Sequence, residues 1–537
     1  MLHSKSKPSQ KHQYRTTAER LLPKAFPLLV ALLLLCLLYS CSTKKRILTN
    51  PELTHRAAQA LYEPTKRELR AAWIPTIYRS EYTLRPAEEL QKLLRQRLNI
   101  LQAAGFNAVI FQIRAEADAW YQSPYEPWSR FLIGQENDST PIPTWDPLAF
   151  MIEECHQRQM ELHAWINPYR AAANSTNLLP EKHPYHQHPE WFVTYNNQLL
   201  FNPALPEVRS YIAQIVADIT SRYDLDAIHL DDYFYPYPAI GSPFPDQEEY
   251  LRQTGGSIPL AEWRRKNVSQ LIELLHHTIK SLKPYVQLGI SPFGIYRNEK
   301  SDPQGSKTSG LQNYDDLYAD ILLWDREGWV DYIMPQLYWP TGHTAAEYTE
   351  LARWWQRHIS RALYYIGQDV KRTMNAEELH TKMNITTEVA KGQCFWPGDE
   401  IFRDYKGITD QLAQVYWQKP ALPPIAPMIY ISDTSSLSAE KKVVLIKDEQ
   451  GEQRLEWQPD EPDIPAEEQT RYYIIYCHPR KTKQLHTQDL KYLIGVTSNC
   501  SYQLPKLDGK QKVAFTITRL NRYNQELPIA KKIFVTL

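Results

Sequence analysis

From residue 69 onward, short apolar runs alternate with longer stretches in which apolar positions recur every three or four residues. The first pattern predicts buried strands and the second amphipathic helices. Strands are predicted at 70–75, 107–114, 161–170, 227–230, 287–292, 330–339, 362–367 and 427–432. Helices fall between them at 87–104, 147–159, 208–223, 261–282, 314–327, 348–358 and around 399–417. Strands alternating with helices in this way predict an α/β chain, a TIM-type (β/α)8 barrel with insertions. The stretch 178–202 reads as a loop. Its His183, His186 and His188 lack an acidic or cysteine partner at ligand spacing, so no metal is expected there.

Beyond about residue 435 the helical period disappears. Short β-branched and aromatic runs at 454–457, 470–477, 513–519 and 532–537 predict an all-β sandwich, similar to a fibronectin type III module. The expected organisation is a lipoprotein signal peptide at 1–41, a tether at 42–65, the barrel at 66–434 and a separable sandwich at 435–537.

In a parallel barrel the carboxyl ends of the strands meet at one mouth, so polar residues at strand ends are candidates for chemistry. The run 227–230 stops at Asp231 and Asp232. The second strand leads into Gln112, Arg114, Glu116 and Asp118, the third into Trp165, Asn167, Tyr169 and Arg170, and the sixth into Gln336, Tyr338 and Trp339. Glycoside cleavage needs a carboxylic acid to protonate the leaving oxygen and a second group on the opposite face of the sugar. One scheme makes Asp231 nucleophile or base, with the acid drawn from Asp232, Glu116 or Asp118. Another pairs the two aspartates with the acetamide of an N-acetylated sugar as internal nucleophile. Strands five and six end without a carboxylate. Neighbouring strand residues point to opposite faces, so both aspartates reach the mouth only if the chain turns there. An aromatic rim of Trp165, Tyr169, Tyr233, Tyr235, Tyr338 and Trp339 suits sugar faces. That rim would also serve the alternative, a non-catalytic glycan-binding lipoprotein of the cell envelope.

Sixty-one basic residues balance sixty-one acidic ones, which gives no global field for nucleic acid, and the 15 Trp and 34 Tyr supply many amphipathic rings. The apolar run 26–39 is too short to span a bilayer and reads as the core of a secretory signal. Residues 38–41, LYSC, resemble a bacterial lipobox, which implies lipidation of Cys41 and a mature protein anchored in the outer membrane, facing the periplasm. The remaining cysteines, Cys155, Cys394, Cys477 and Cys500, show no C-x-x-C spacing, and sequence leaves a Cys477–Cys500 bridge open. Without a plausible ligand trio a metal-dependent deacetylase is the weakest reading, and neither a metal nor any other cofactor is expected.

The phrases FQIRAEADAWYQSPYEPWSRFLIG, DPLAFMIEECHQRQMELHAWINPYRA, DLDAIHLDDYFYPYP, EWRRKNV, GISPFGIYRN and DYIMPQLYWP, the last followed by WW, resemble the glycosyl hydrolase-like 10 family of bacterial lipoproteins. The resemblance runs in register from about residue 68 to 355. It implies a barrel acting on glycosidic bonds of peptidoglycan-type strands stripped of peptides. It carries site roles onto Asp231 and Asp232 first, then onto Gln112, His163, Trp165, Asn167, Tyr169, Arg170, Tyr233, Arg297, Gln336 and Tyr338.

Overall fold

The computed structural model describes Tyr62 and residues 64–134, 143–174, 179–427, 441–461, 464–479, 487, 489–505, 512–529 and 533–536. The signal segment with Cys41, most of the tether, positions 428–432 of the predicted last strand and the boundary near 435 lie outside the described residues.

The barrel strands are β1 (Leu69–Ile74), β2 (Ala108–Arg114), β3 (Glu161–Ile166), β4 (Ala227–Leu230), β5 (Gln287–Ile290), β6 (Tyr332–Ile333), β7 (Leu363–Tyr364), β8 (Ile366–Asp369) and β9 (Gly392–Trp396). They form one parallel sheet in the order β7-β6-β5-β4-β3-β2-β1-β9-β8. β7 and β8 are consecutive pieces of one run, the first on β6 and the second on β9, so nine segments make eight staves of a TIM-type barrel.

Three predicted strands are corrected. The closing stave is β9, not 427–432: Gly392 opposite Leu69 begins the pairing with β1. A Cβ on Gly392 would lie 2.3 Å from the Leu69 carbonyl oxygen, so only glycine lets the two staves meet. β3 stops at Ile166. Arg170–Ala172 instead joins an antiparallel sheet with Phe192–Tyr195 and Gln198–Phe201, inside the stretch read as loop. Asn196 and Asn197 turn that hairpin with positive φ, as a two-residue hairpin loop requires. The sixth stave is regular only at Tyr332–Ile333, with two further isolated bridges at Gln336, to Phe293 and to Gly367.

The helices follow from their apolar spacing. Ala87–Ala103 buries Leu90, Leu94, Leu98 and Leu101, one stripe of a 3.6-residue period. Pro147–Gln157 starts at Asp146, whose carboxylate accepts from the Leu148 and Ala149 amides. Among the described residues no helix is long and apolar enough to cross a membrane.

The C-terminal strands form a three-stranded and a five-stranded antiparallel sheet. The period-2 alternation of Tyr472–Pro479 divides its side chains between two interfaces. Tyr473 and Ile475 meet Leu455 and Trp457 of the smaller sheet, while Tyr472, Ile474 and Tyr476 cluster with Leu422 toward the barrel. Cys477 and Cys500 are both free thiols packed at the edge of the first cluster. Arg471 reaches the amino-terminal end of the barrel. Its Nη1 lies 2.8 Å from Glu161 Oε1 and its Nη2 pairs with Asp226, while Asn524 Nδ2 donates to Glu161 Oε1 at 3.0 Å. Burial opposes ionisation of both carboxyls, but the Arg471 guanidinium holds each below the usual carboxylate range, helped by His156 at Asp226 and by His163 at Glu161.

Candidate active site

Alternation along the staves decides which side chains enter the barrel. Leu69, Ala71 and Trp73 of β1, Ala108 and Ile110 of β2, Trp165 of β3, Ala227 of β4 and Tyr332 of β6 share the interior cluster. On β4 the same parity runs from Ala227 through His229 to Asp231, so Asp231 points inward. Asp232 would point away on a continuing strand, but the strand ends at Leu230 and the Phe234 amide closes a turn onto the Asp232 carbonyl at 3.1 Å. Both carboxyls therefore line one cavity of about 590 Å³ at the mouth.

Asp231 is held by N–H donors. Its Oδ1 accepts from the Asp232 amide at 2.8 Å and from Gln336 Nε2 at 3.2 Å, and its Oδ2 accepts from Asn167 Nδ2 at 3.1 Å. Asn167 is aimed by Gln112, whose Nε2 donates to Asn167 Oδ1 at 2.9 Å while its Oε1 accepts from the Thr76 and Ile77 amides. Beside these three N–H donors, the Asp232 carboxyl itself lies close enough to hydrogen-bond to the Asp231 side chain. Asp232, 2% exposed, is different. Burial, then the neighbouring Asp231 charge, pushes its carboxyl well above the usual range, against a 2.5 Å hydrogen bond from Tyr237 Oη. The pair thus places a carboxyl whose ionisation is opposed by its surroundings beside a second carboxyl held by N–H donors, a division of labour set by environment.

A buried polar column runs below the pair. Glu161 Oε2 lies 3.0 Å from His163 Nε2, His163 Nδ1 2.9 Å from Tyr332 Oη, Tyr332 Oη 2.8 Å from His229 Nδ1, and His229 Nε2 2.9 Å from Ser291 Oγ. Trp73 Nε1 also donates to His229 Nε2 at 3.3 Å. Indole can only donate, so His229 Nε2 is an acceptor and its proton is on Nδ1, facing the Tyr332 oxygen. Tyr332 then donates to His163 Nδ1, and His163 donates from Nε2 to Glu161. Burial, then the nearby His163, holds the His229 imidazole well below its ordinary value, consistent with this neutral tautomer. Gly289 makes room for the column: a Cβ there would lie 1.8 Å from the Tyr332 ring.

The structure separates the predicted site residues. Asp231, Asp232, Gln112, Trp165, Arg170, Tyr233, Gln336, Tyr338 and Trp339 line the mouth. Asn167 supports Asp231 from behind, and His163 belongs to the column. Arg114 is buried in an ion pair with Glu126 at 2.6 Å, so it braces the wall and does not face the cavity. Glu116 lies in a neighbouring cavity of about 240 Å³, paired with Arg130 at 2.9 Å. Asp118 lines the same side cavity, its Oδ1 accepting from the Ala115 and Glu116 amides. Tyr169 is buried off the mouth, and Arg297 is spent on Asp302 and Asp315. The mouth also contains residues not singled out from the sequence, including Trp73, Tyr237, Phe293, Trp396 and Asp369. Asp369 caps the short helix after β8, and burial pushes its carboxyl up. Its signal was the Gly-Gln-Asp extension of the seventh stave, two residues beyond the predicted end. Among the described residues no group of three or more His, Cys, Asp or Glu is placed to hold a metal ion.

Residues 68–383 match the family model described as glycosyl hydrolase-like 10. The chain belongs to the glycosyl hydrolase-like 10 family. It is 36% identical over 491 residues to glycosyl hydrolase YngK of Bacillus subtilis (strain 168), covering 87% of this chain and 93% of that protein. It is 38% identical over 365 residues to glycosyl hydrolase DigH of Escherichia coli (strain K12), covering 63% of this chain and 81% of DigH. Among solved structures it is similar to the glycoside hydrolase domain of PgaB (BpsB) from Bordetella bronchiseptica, at 14% identity and a TM-score of 0.46 over 66% of this chain and 100% of that one. The glycosyl hydrolase-like 10 match spans β1 to β8 and therefore includes the Asp231–Asp232 pair, Gln336 and Asp369.

Proposed function

We propose that this chain is a glycoside hydrolase that cleaves peptidoglycan-type glycan strands, preferentially peptide-stripped ones, while anchored to the outer membrane through Cys41 and facing the periplasm. The observation that carries the reading is the unequal Asp231–Asp232 pair at the mouth. Asp232, held protonated by burial and by its neighbour, protonates the leaving glycosidic oxygen. Asp231 works on the opposite side of the reaction, either on the anomeric carbon or on the acetamide that attacks it. Tyr338, half-buried at the mouth and with no hydrogen-bond partner among the described residues, has its hydroxyl free for the substrate. Trp73, Trp165, Trp339 and Trp396 supply ring faces around the cavity. Family membership supports the reaction class, and the sequence resemblance supports the substrate.

Mass spectrometry of products from intact and peptide-stripped peptidoglycan tests this. Oligosaccharides released from stripped strands by the parent, but not by Asp232→Asn, are expected. Binding without release by the parent protein leaves only the glycan-binding alternative.

A further inference from the structure

The charged groups at the mouth are Asp231, Asp232, Asp369, Arg170 and Arg372. All but one of them have polar or ionic partners in the protein. Asp231 and Asp232 are bonded as described. Asp369 Oδ1 accepts from the Arg372 amide at 2.6 Å, and its Oδ2 lies 3.6 Å from Arg372 Nε. Arg170 is the exception: among the described residues its guanidinium has neither a hydrogen bond nor a carboxylate within ion-pair distance, and its one recorded contact is the Tyr233 ring, 4.6 Å from the guanidinium carbon. It is half-buried, fixed by the backbone pairing of Arg170 with Leu200 in the small antiparallel sheet, and its side chain lines the cavity.

An arginine at a cleft wall with one face on an aromatic ring retains its in-plane N–H edge, which fits a planar carboxylate with two parallel hydrogen bonds. The position of this edge is set by a continuous layer. The Tyr233 ring stacks on Tyr237 at 5.5 Å and 29°, and Tyr237 in turn holds Asp232. The unpaired cation is thus connected to the acid through two aromatic rings along one wall of the cavity.

We propose that Arg170 is the specificity-determining residue of a neighbouring subsite and reads a carboxylate carried on a sugar. This rests on the glycan reading above and adds the charge of the substrate to it. Two sugar chemistries carry such a group, a lactyl ether on an N-acetylated amino sugar and a uronic acid. In the first, an attached peptide converts the carboxylate into an amide and removes the charge that Arg170 would pair, so the subsite would discriminate stripped strands from peptide-bearing ones.

The test uses the full chain carrying Asp232→Asn, so that binding is read without turnover, with and without Arg170→Met and Arg170→Lys. The probes are peptide-stripped peptidoglycan strands, the same strands with their lactyl carboxylates converted to methylamides, and an alternating polymer of uronic acid and N-acetylated hexosamine. Free-carboxylate strands should bind roughly ten- to a hundredfold more tightly than the amidated ones, the range for a hydrogen bond to a charged group. Arg170→Met should abolish that difference, and Arg170→Lys should restore it in part. The same Arg170 dependence on the uronate polymer, without it on the stripped strands, assigns the carboxylate to a uronic acid. Equal affinity for free and amidated strands together with no Arg170 dependence on the uronate polymer, an Arg170→Met that binds every polymer as the parent does, or no binding of any polymer overturns the proposal. Cleavage by the chain with Asp232 intact is scored separately. Arg170-dependent binding without cleavage removes the hydrolase reading alone, and cleavage indifferent to amidation removes the carboxylate subsite alone.

Discussion

Tyr237 donates its hydroxyl proton to Asp232 Oδ2 across 2.5 Å, and this bond opposes the burial that keeps Asp232 protonated. Removing it in Tyr237→Phe lets the Asp232 carboxyl rise further. The acid must be protonated to act, so the basic limb of the kcat/KM profile should move to higher pH in this variant. A pH profile of strand cleavage checks the direction; an unmoved or lowered basic limb contradicts the assignment of Asp232 as acid.

Asp232 also predicts a pH-dependent stability. Its folded-state carboxyl titrates above its unfolded value, so its contribution is full below about pH 4, the ordinary aspartate value, and is lost as pH rises through the folded value. Asp232→Asn keeps an oxygen for Tyr237 and cannot ionise. Its Tm relative to the parent should rise between pH 4 and pH 8, while its turnover falls on the order of 10²–10⁴-fold.

Asp231→Asn should cost both turnover and stability. An amide has a single oxygen, so one of the donors now on Asp231, Asn167 Nδ2 or Gln336 Nε2, must face another N–H group. A buried donor left unmatched costs about 1–3 kcal/mol, measurable by urea unfolding. Azide distinguishes the two routes in Asp231→Ala: rescue with formation of a glycosyl azide marks Asp231 as nucleophile, and the absence of rescue marks the acetamide route.

Arg471 neutralises Glu161 and Asp226 from the C-terminal module, and Arg471→Met should destabilise the chain by about 3–5 kcal/mol, the cost of stranding buried charges. Both carboxyls titrate below their unfolded values, so the stability they contribute is present above about pH 4 and is lost as pH falls. The loss in Arg471→Met should therefore be large at pH 7 and shrink at pH 3. A barrel truncated before the module should show the same defect.

Cys41→Ala should release the protein from the membrane fraction, because the apolar run 26–39 is too short to anchor by spanning. Retention at the parent level contradicts lipidation at that cysteine.

The alternation of apolar runs and helical stripes determined the barrel, because each stave and each stripe is a local pattern that can bury itself in one way. It also determined that Asp231 and Asp232 stand at a stave end, since Ala227–Leu230 is apolar apart from His229 and the carboxyls follow directly. The hairpin carried by Asn196 and Asn197 was missed within a stretch read as loop, because its histidines and prolines masked the two-residue turn between short strand-like runs. What tertiary structure alone decided is which polar residues face which cavity. Glu116 and Arg114 lie at the end of the second stave near Gln112, yet both are taken by salt bridges to Arg130 and Glu126, 14 and 12 residues along the chain, whose approach depends on how it folds back. His163 and His229 lie on neighbouring staves, and only the barrel brings both to the hydroxyl of Tyr332. Hydrophobic periodicity specifies a face. The partner that claims a charge on that face is set by the folded chain, and it can come from distant sequence, as Arg471 does for Glu161 across 310 residues.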